Sequence, residues 1–390
     1  MNSTSPRPHP TVGLRTIVGR WLWLGCIGFG GPPTHIRLLR QMCVEENNWI
    51  DPITFEDAIS ATNLLPGPAS TQLAIFCAWT LRGAIGGIVG GICFIVPGLV
   101  LIVGLSAVFL AHHPATWILG TALGAGAAVP AIAINAAWRL APASFNRAGA
   151  NRARQVRWIV YAIAGAVAAS VIGTYLVLVL VVCGVTEILI RNTSKNPGAQ
   201  ARSFIPFGVA HIAVAGGFGA LSWVAFKVGV LSYGGGFVII PLMQHDAVST
   251  YHWMTGSQFL YAVALGQITP GPVVQTVAVV GYAARGVTGA MVAAVIAFAP
   301  SFAFVLGGGR HFEKLRSVTS IGSFLGGAGP AVIGAIAGSS IPLGTSFQHL
   351  WQIAVLGGVL VWLFALRKGV VSGLVGAAVV GLAIALAGVT

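Results

Sequence analysis

The residues best suited to chemistry in this 390-residue chain sit beside two copies of one tripeptide. Pro66-Gly67-Pro68 is followed by Ser70, Thr71 and Gln72, and Pro270-Gly271-Pro272 by Gln275 and Thr276. Asn63 and Gln267 precede the two tripeptides at equivalent places. Proline lacks an N–H and glycine tolerates left-handed backbone, so each tripeptide favours a tip between two helical arms. A helix that starts just after such a tip has unpaired N–H groups carrying partial positive charge. With hydroxyl and amide donors in its first turn, that start suits an oxyanion. The plainer alternative is a proline kink whose polar side chains bond to their own backbone. Recurrence at matching positions weighs against it.

Two glycine clusters form the second constellation. Gly28-Phe29-Gly30-Gly31-Pro32 and, after Ser232, Tyr233-Gly234-Gly235-Gly236 each end a long apolar segment. They mark an unwound stretch or a close helix crossing. No GxxxxGK[ST] follows, so nucleotide binding is not indicated. His35 reads as a donor, a proton carrier or a satisfied structural histidine. Lys227, in WVAFKVGVL, has no carboxylate within a helical turn and is the strongest candidate cation for drawing in substrate, with snorkelling to the interface as its alternative. Arg82 and Arg285 close the two arms, as gating residues or as interface anchors. Glu46 and Asp246 are available for proton coupling, whereas Glu45, Asp51, Glu56 and Asp57 read as solvated or paired with Arg37 and Arg40. HExxH, GxSxG and paired metal-ligand spacings do not occur, so no enzyme, metal or cofactor is indicated. The cysteines (Cys26, Cys43, Cys77, Cys93, Cys183) are odd in number and make no CxxC pair; four lie in apolar context as small hydrophobes.

The elements that must hold these residues are membrane helices. Charged residues make up 7% of the chain and mean hydropathy is +0.87, against about 25% charged residues in soluble domains. Apolar stretches of roughly 20 residues, enough to cross a bilayer core, recur along the sequence. A net charge of +13 comes mostly from Lys and Arg between apolar spans, a topology signal rather than a nucleic-acid patch. Residues 1–11 read as a disordered tail, and no cleaved signal peptide is evident.

The chain is also duplicated. GCIGFGG (Gly25 to Gly31) returns as GVLSYGG (Gly229 to Gly235), Trp49 as Trp253 and Phe55 as Phe259. This gives repeats over 12–190 and 204–390 with a basic hinge over 191–203. The loop His112-His113-Pro114 is uncharged, while its counterpart carries Arg310, Lys314 and Arg316. One helix later the pattern reverses: Arg139, Arg147, Arg152, Arg154 and Arg157 stand against an uncharged stretch from Pro342 to Ser346. If basic loops are cytoplasmic, the halves are inserted in opposite senses. Arg7, Arg15 and Arg285 fit that orientation poorly, and a parallel duplication with an extra span is the competing arrangement. The expected fold is therefore an all-α polytopic membrane protein of two inverted repeats, each with a re-entrant hairpin at its Pro-Gly-Pro tip. Where inverted repeats of this kind serve transport, substrate sits near the midplane at broken helices from both repeats.

FGGPPTH (Phe29 to His35), Glu46 to Trp49, LLPGPASTQLAIF (Leu64 to Phe76), KVGVLSYGGGFVIIP (Lys227 to Pro241) and ITPGP (Ile268 to Pro272) resemble, in order and in both halves, the chromate ion transporter family. The resemblance covers nearly the whole chain. It implies a long, two-domain secondary transporter that exports chromate across the cytoplasmic membrane; on energetic grounds membrane potential suffices to drive a dianion out, with or without a coupled proton. Sulfate or another inorganic anion is the alternative substrate, and an embedded enzyme or scaffold the remote one. Trp23 departs from the family pattern where a basic residue often matches Lys227, and His245-Asp246 replaces a more acidic stretch. The partners implied are the oxyanion and the lipid bilayer, with no nucleic acid. A homodimer is compatible with the sequence but not dictated by it.

Overall fold

Apolar sequence with tightly placed Gly and Pro yields helices broken at defined points. The computed structural model describes residues 12–63, 65–111, 114–149, 151–193, 217–232, 237, 239–308 and 319–388. The tail 1–11, most of the hinge 191–203, the loop Arg310 to Arg316 and the cluster Gly234-Gly235-Gly236 lie outside the described residues. Among the described residues every regular element is helical.

In the first half α1 (Leu14–Ile27) leads to α2 (Pro32–Arg40), which continues as a wide π-type turn over Gln41–Glu46. Then come α3 (Pro52–Thr62), the tip, and α4 (Ala69–Phe109). The Asp51 side chain caps α3 by accepting the Thr54 N–H. Slight burial raises the Asp51 pKa, but the Thr54 hydrogen bonds lower it more, leaving it below the ordinary value. Next are α5 (Thr116–Asn146) and the hairpin α6 (Arg152–Val167) and α7 (Leu176–Thr193), which turns at Gly173, where φ is 45°.

The second half repeats this order: α8 (Phe218–Leu231), α9 (Ile239–Gln244), a π-type turn over His245–Thr250, α10 (Gly256–Ile268), the second tip and α11 (Thr276–Gly308). It ends with α12 (Thr319–Gly338), α13 (Ser340–Gly344), α14 (Trp351–Leu360) and α15 (Val370–Leu386). The segments Ala69–Phe109, Thr116–Asn146, Val273–Gly308 and Gly322–Gly344 are long and apolar enough to cross a membrane.

Both long helices break at an Arg-Gly pair. Arg82 has φ −150° and ψ 29° with Gly83 at φ 61°, and Arg285 has φ −150° and ψ 27° with Gly286 at φ 63°. A Cβ at either glycine would meet nothing within 4 Å, so the positive φ, not lack of space, calls for glycine. Each break divides its helix into a short arm rising from the tip and a longer arm.

The equivalent longer arms of the two halves lie against each other. A Cβ at Gly87 would stand 2.9 Å from Leu306, and one at Gly91 2.6 Å from Phe302. One turn forward along α4 is thus one turn back along α11. Equivalent helices running antiparallel across one membrane require halves inserted in opposite senses.

The halves also interlock. Gly120 and Gly124 of α5 let α15 approach so closely that a Cβ would stand 2.3 Å from Ala385 and 2.2 Å from the Ala377 carbonyl. Reciprocally, Gly334 and Gly338 of α12 pack on Ala162 and Ala166 of α6, and Gly327 on Cys183 of α7. Small residues allow such approach where lipid offers no hydrophobic drive for association.

Candidate functional site

Each tip rests on the other half. The Gly271 N–H donates to the Gly28 carbonyl at 2.9 Å, and Gly31 faces Val273 just after the second tip. Gly98 of α4 closes this contact: a Cβ there would lie 2.0 Å from the Pro270 carbonyl and 2.4 Å from Gln275 Oε1. At the first tip, a Cβ on Gly67 would lie 3.2 Å from Ser301 Oγ of α11 and 3.4 Å from the Gly229 carbonyl of α8. Ser301 and Gly98 occupy equivalent places, each just after the Pro of its arm (Pro300, Pro97). Both stand well inside their longer arms, so at about 1.5 Å of rise per residue the tips lie near mid-height. Gly67, Pro68, Pro270, Gly271 and Pro272 are buried and Pro66 half-buried, which keeps the tips away from the lipid boundary.

Around these tips several buried polar atoms have no partner among the described residues. They are Thr71 Oγ1, Ser232 Oγ, Ser301 Oγ and Gln267 Nε2 as donors, with Gln72 Oε1, Gln275 Oε1 and His35 Nδ1. An unsatisfied buried polar group costs about 1–3 kcal/mol, so these atoms call for partners beyond the described residues, whether water, an ion or a ligand. Thr71, Ser232, Gln275 and Ser301 are 0% exposed, which leaves this arrangement closed to solvent.

The remaining polar side chains hold the tips. Gln72 Nε2 donates to the Pro66 carbonyl at 2.7 Å, within its own tip, whereas Gln275 Nε2 donates to the Ile95 carbonyl of the opposite half at 2.8 Å. The Thr276 hydroxyl donates to the Val273 carbonyl at 2.8 Å, so it is not a free donor. Ser70 is buried in the first turn of α4. His35 Nε2 lies 2.8 Å from the Gly28 carbonyl, the same oxygen that holds Gly271, with its ring edge-on to Phe94. That geometry favours the structural reading of His35: it steadies the carbonyl that carries the second tip. Asn63 is exposed at the end of α3, unlike its buried counterpart Gln267, and Gly30 is exposed beside buried Gly31.

No carboxylate stands within a helical turn of Lys227, yet the fold brings one to it: Nζ lies 2.5 Å from Asp246 Oδ2 and 5.8 Å from the Trp223 ring centre. Sequence spacing missed the pair because its members sit on different elements, α8 and the turn after α9. Arg82 and Arg285 stand away from the tips, at the starts of α1 and α8. Arg82 donates to the Val12 carbonyl at 3.1 Å, and the Arg285 guanidinium lies 6.0 Å over Phe218. Glu46 is exposed and accepts from Gln41 at 2.8 Å, and Arg40 pairs with Glu45 and Glu56. Ser301 and Gly98 were not singled out by sequence. The available signal was Ser301 as the lone hydroxyl beside Pro300, in register with Gly98.

The profile of the chromate transporter family matches residues 15–188 and again 219–388. The chain is 30% identical over 347 residues to the chromate transport protein of Cupriavidus metallidurans, covering 86% of this chain and 83% of that one. It is 28% identical to the probable chromate transport protein of Synechococcus elongatus, over 87% of each chain. Identity to the chromate transport protein of Pseudomonas aeruginosa is also 28%, over 88% of this chain and 84% of that protein. No solved structure matches.

Proposed function

This chain belongs to the chromate transporter family, and from that premise we propose that it exports chromate across the cytoplasmic membrane through the space between its two tips. It is a multi-pass membrane protein, a transporter rather than an enzyme, and an anion is its substrate class. One observation supports the location above others: the buried donors Thr71, Gln267 and Ser301 at the tips, and Ser232 at the end of α8, have no partner among the described residues. A tetrahedral dianion accepts from several directions at once, and helix starts supply its counter-charge without a buried cation. Lys227, matched to Asp246, is not needed as that cation.

Membrane potential is sufficient as a drive. Moving one charge is worth about 2.3 kcal/mol per 100 mV, so a dianion leaving a negative interior gains about 4.6 kcal/mol, roughly a thousandfold gradient. Any coupled proton adds to that.

Everted vesicles test the reading. They accumulate labelled chromate when potential is imposed, and Thr71→Ala with Ser301→Ala lowers uptake at least tenfold at normal protein level. Unchanged uptake moves the site elsewhere. The donors found suit sulfate as well as chromate, since both are tetrahedral dianions. Full competition by equimolar sulfate would make sulfate the substrate.

A further inference from the structure

We propose that the chain carries a second anion site, away from the tips, that takes a phosphate-type tetrahedral oxyanion, either free or as a lipid headgroup. A cavity of about 320 Å³ opens where α5 ends, α6 begins, α7 ends and α12 begins. Arg147, Arg154, Arg157 and Arg191 line it, with Glu187 as the sole carboxylate among its lining residues.

Glu187 is fully engaged. Oε2 takes Arg157 Nε at 2.8 Å and the Tyr161 hydroxyl at 3.3 Å, while Oε1 takes Arg191 Nε at 2.8 Å and Arg157 Nη2 at 3.3 Å. A carboxylate with both oxygens doubly bonded has no capacity left for Arg147 or Arg154. Among the described residues Arg147 bonds only weakly, to the Ala143 carbonyl of its own turn at 3.3 Å. Three positive charges in excess therefore face one cavity.

The local helix adds to that excess. Asn151 caps α6 by accepting the Arg154 N–H, and the first turn holds Arg152 and Arg154 with no acid. Cations at the positive end of a helix are unfavourable, and an anion relieves both the dipole and the side chains. Gly326 leaves room for this: a Cβ there would lie 2.7 Å from Arg191 Nη2. Basic topology signal explains why Arg residues are at this end. It does not explain a cavity, a saturated carboxylate and an uncompensated helix start in one place. Because the lining comes from both halves, an anion here also bridges α12 to the α6–α7 hairpin.

Equilibrium dialysis of the purified full chain at low salt, with labelled inorganic phosphate, tests it against R147Q/R154Q. Both side chains are exposed and outside the Glu187 network, and melting temperature reports folding. Binding at least tenfold weaker in the variant, restored in part by R147K/R154K, is expected. In nanodiscs, phosphatidylglycerol in place of neutral lipid displaces the phosphate if a headgroup is the occupant, and leaves it bound if the free ion is. Equal phosphate binding by wild type and R147Q/R154Q in neutral nanodiscs and in detergent overturns the proposal. Because the tips are unaltered, chromate uptake in R147Q/R154Q separates failure of this site from failure of the transport reading.

Discussion

At Arg82-Gly83 and Arg285-Gly286 the backbone angles of the two halves agree within 2°, yet the side chains these backbones carry diverge. The second half joins α8 to the turn after α9 with the Lys227–Asp246 pair; the first has Trp23 and Met42 at the equivalent places. Gln72 folds onto its own tip, whereas Gln275 reaches across to α4. Gly98 presses on the second tip where Ser301 presents a hydroxyl to the first. Duplication has kept the geometry that brings two helix starts inward and released the side chains to take different roles.

The largest test of that difference swaps the residues that face the tips. Gly98→Ser puts a side chain where 2.0 Å separates a Cβ from the Pro270 carbonyl, so uptake should fall more than a hundredfold. The reciprocal Ser301→Gly removes a donor without a clash and should cost about tenfold. Equal losses in vesicle uptake would mean the tips are not seated as differently as they look.

Next comes the ion pair. Lys227→Met leaves Asp246 unpaired in a poorly solvated place, and breaking such a pair costs about 3–5 kcal/mol, visible as lost thermal stability in detergent. Lys227→Met with Asp246→Met imitates the apolar character of the first half and should recover most of that stability. If the double variant folds but transports without pH dependence while the wild type does not, the pair couples protons. If both behave alike, it is structural.

A smaller and symmetrical effect is expected at the kinks. Gly83→Ala and Gly286→Ala each force a side chain into backbone with φ near 60° and ψ near −155°, a region essentially reserved for glycine, at about 1–3 kcal/mol with no clash to add. Melting should shift equally in both, and a marked inequality would show that the two kinks bear different loads.

The smallest concerns the starts of α3 and α10. Asp51→Ala removes one cap and Thr255→Ala opens a capping box with Gln258, each costing about 1 kcal/mol. The Asp51 contribution is present above the carboxylate's unfolded pKa, near 3.9. It is lost as pH falls through the depressed folded value, so an acid titration of the melting temperature should flatten in Asp51→Ala.

Much of this architecture was legible in the sequence because Pro and Gly act locally. The tips, and the arms that close at Arg82 and Arg285, follow from residues that permit few other conformations. The opposed sense of the halves was legible through loop charge, and the antiparallel register of Gly87 with Leu306 and Gly91 with Phe302 accords with it. What escaped was non-local. Asp246 is 19 positions from Lys227, the Gln275–Ile95 bond spans 180, and no periodicity announces either. Gly98 looked like one more small residue in an apolar run until the tip against it was known.

The interlock has a consequence for how the molecule is made. α5 is clasped by the last helix of the chain, and α12 by the hairpin that ends the first half, so the surfaces that recognise each other are spread along the whole length. A chain severed between 194 and 216 yields two fragments that still own complementary surfaces, and co-expressed they should reassemble. Either fragment produced singly would leave its glycine-lined long helix facing lipid with no mate.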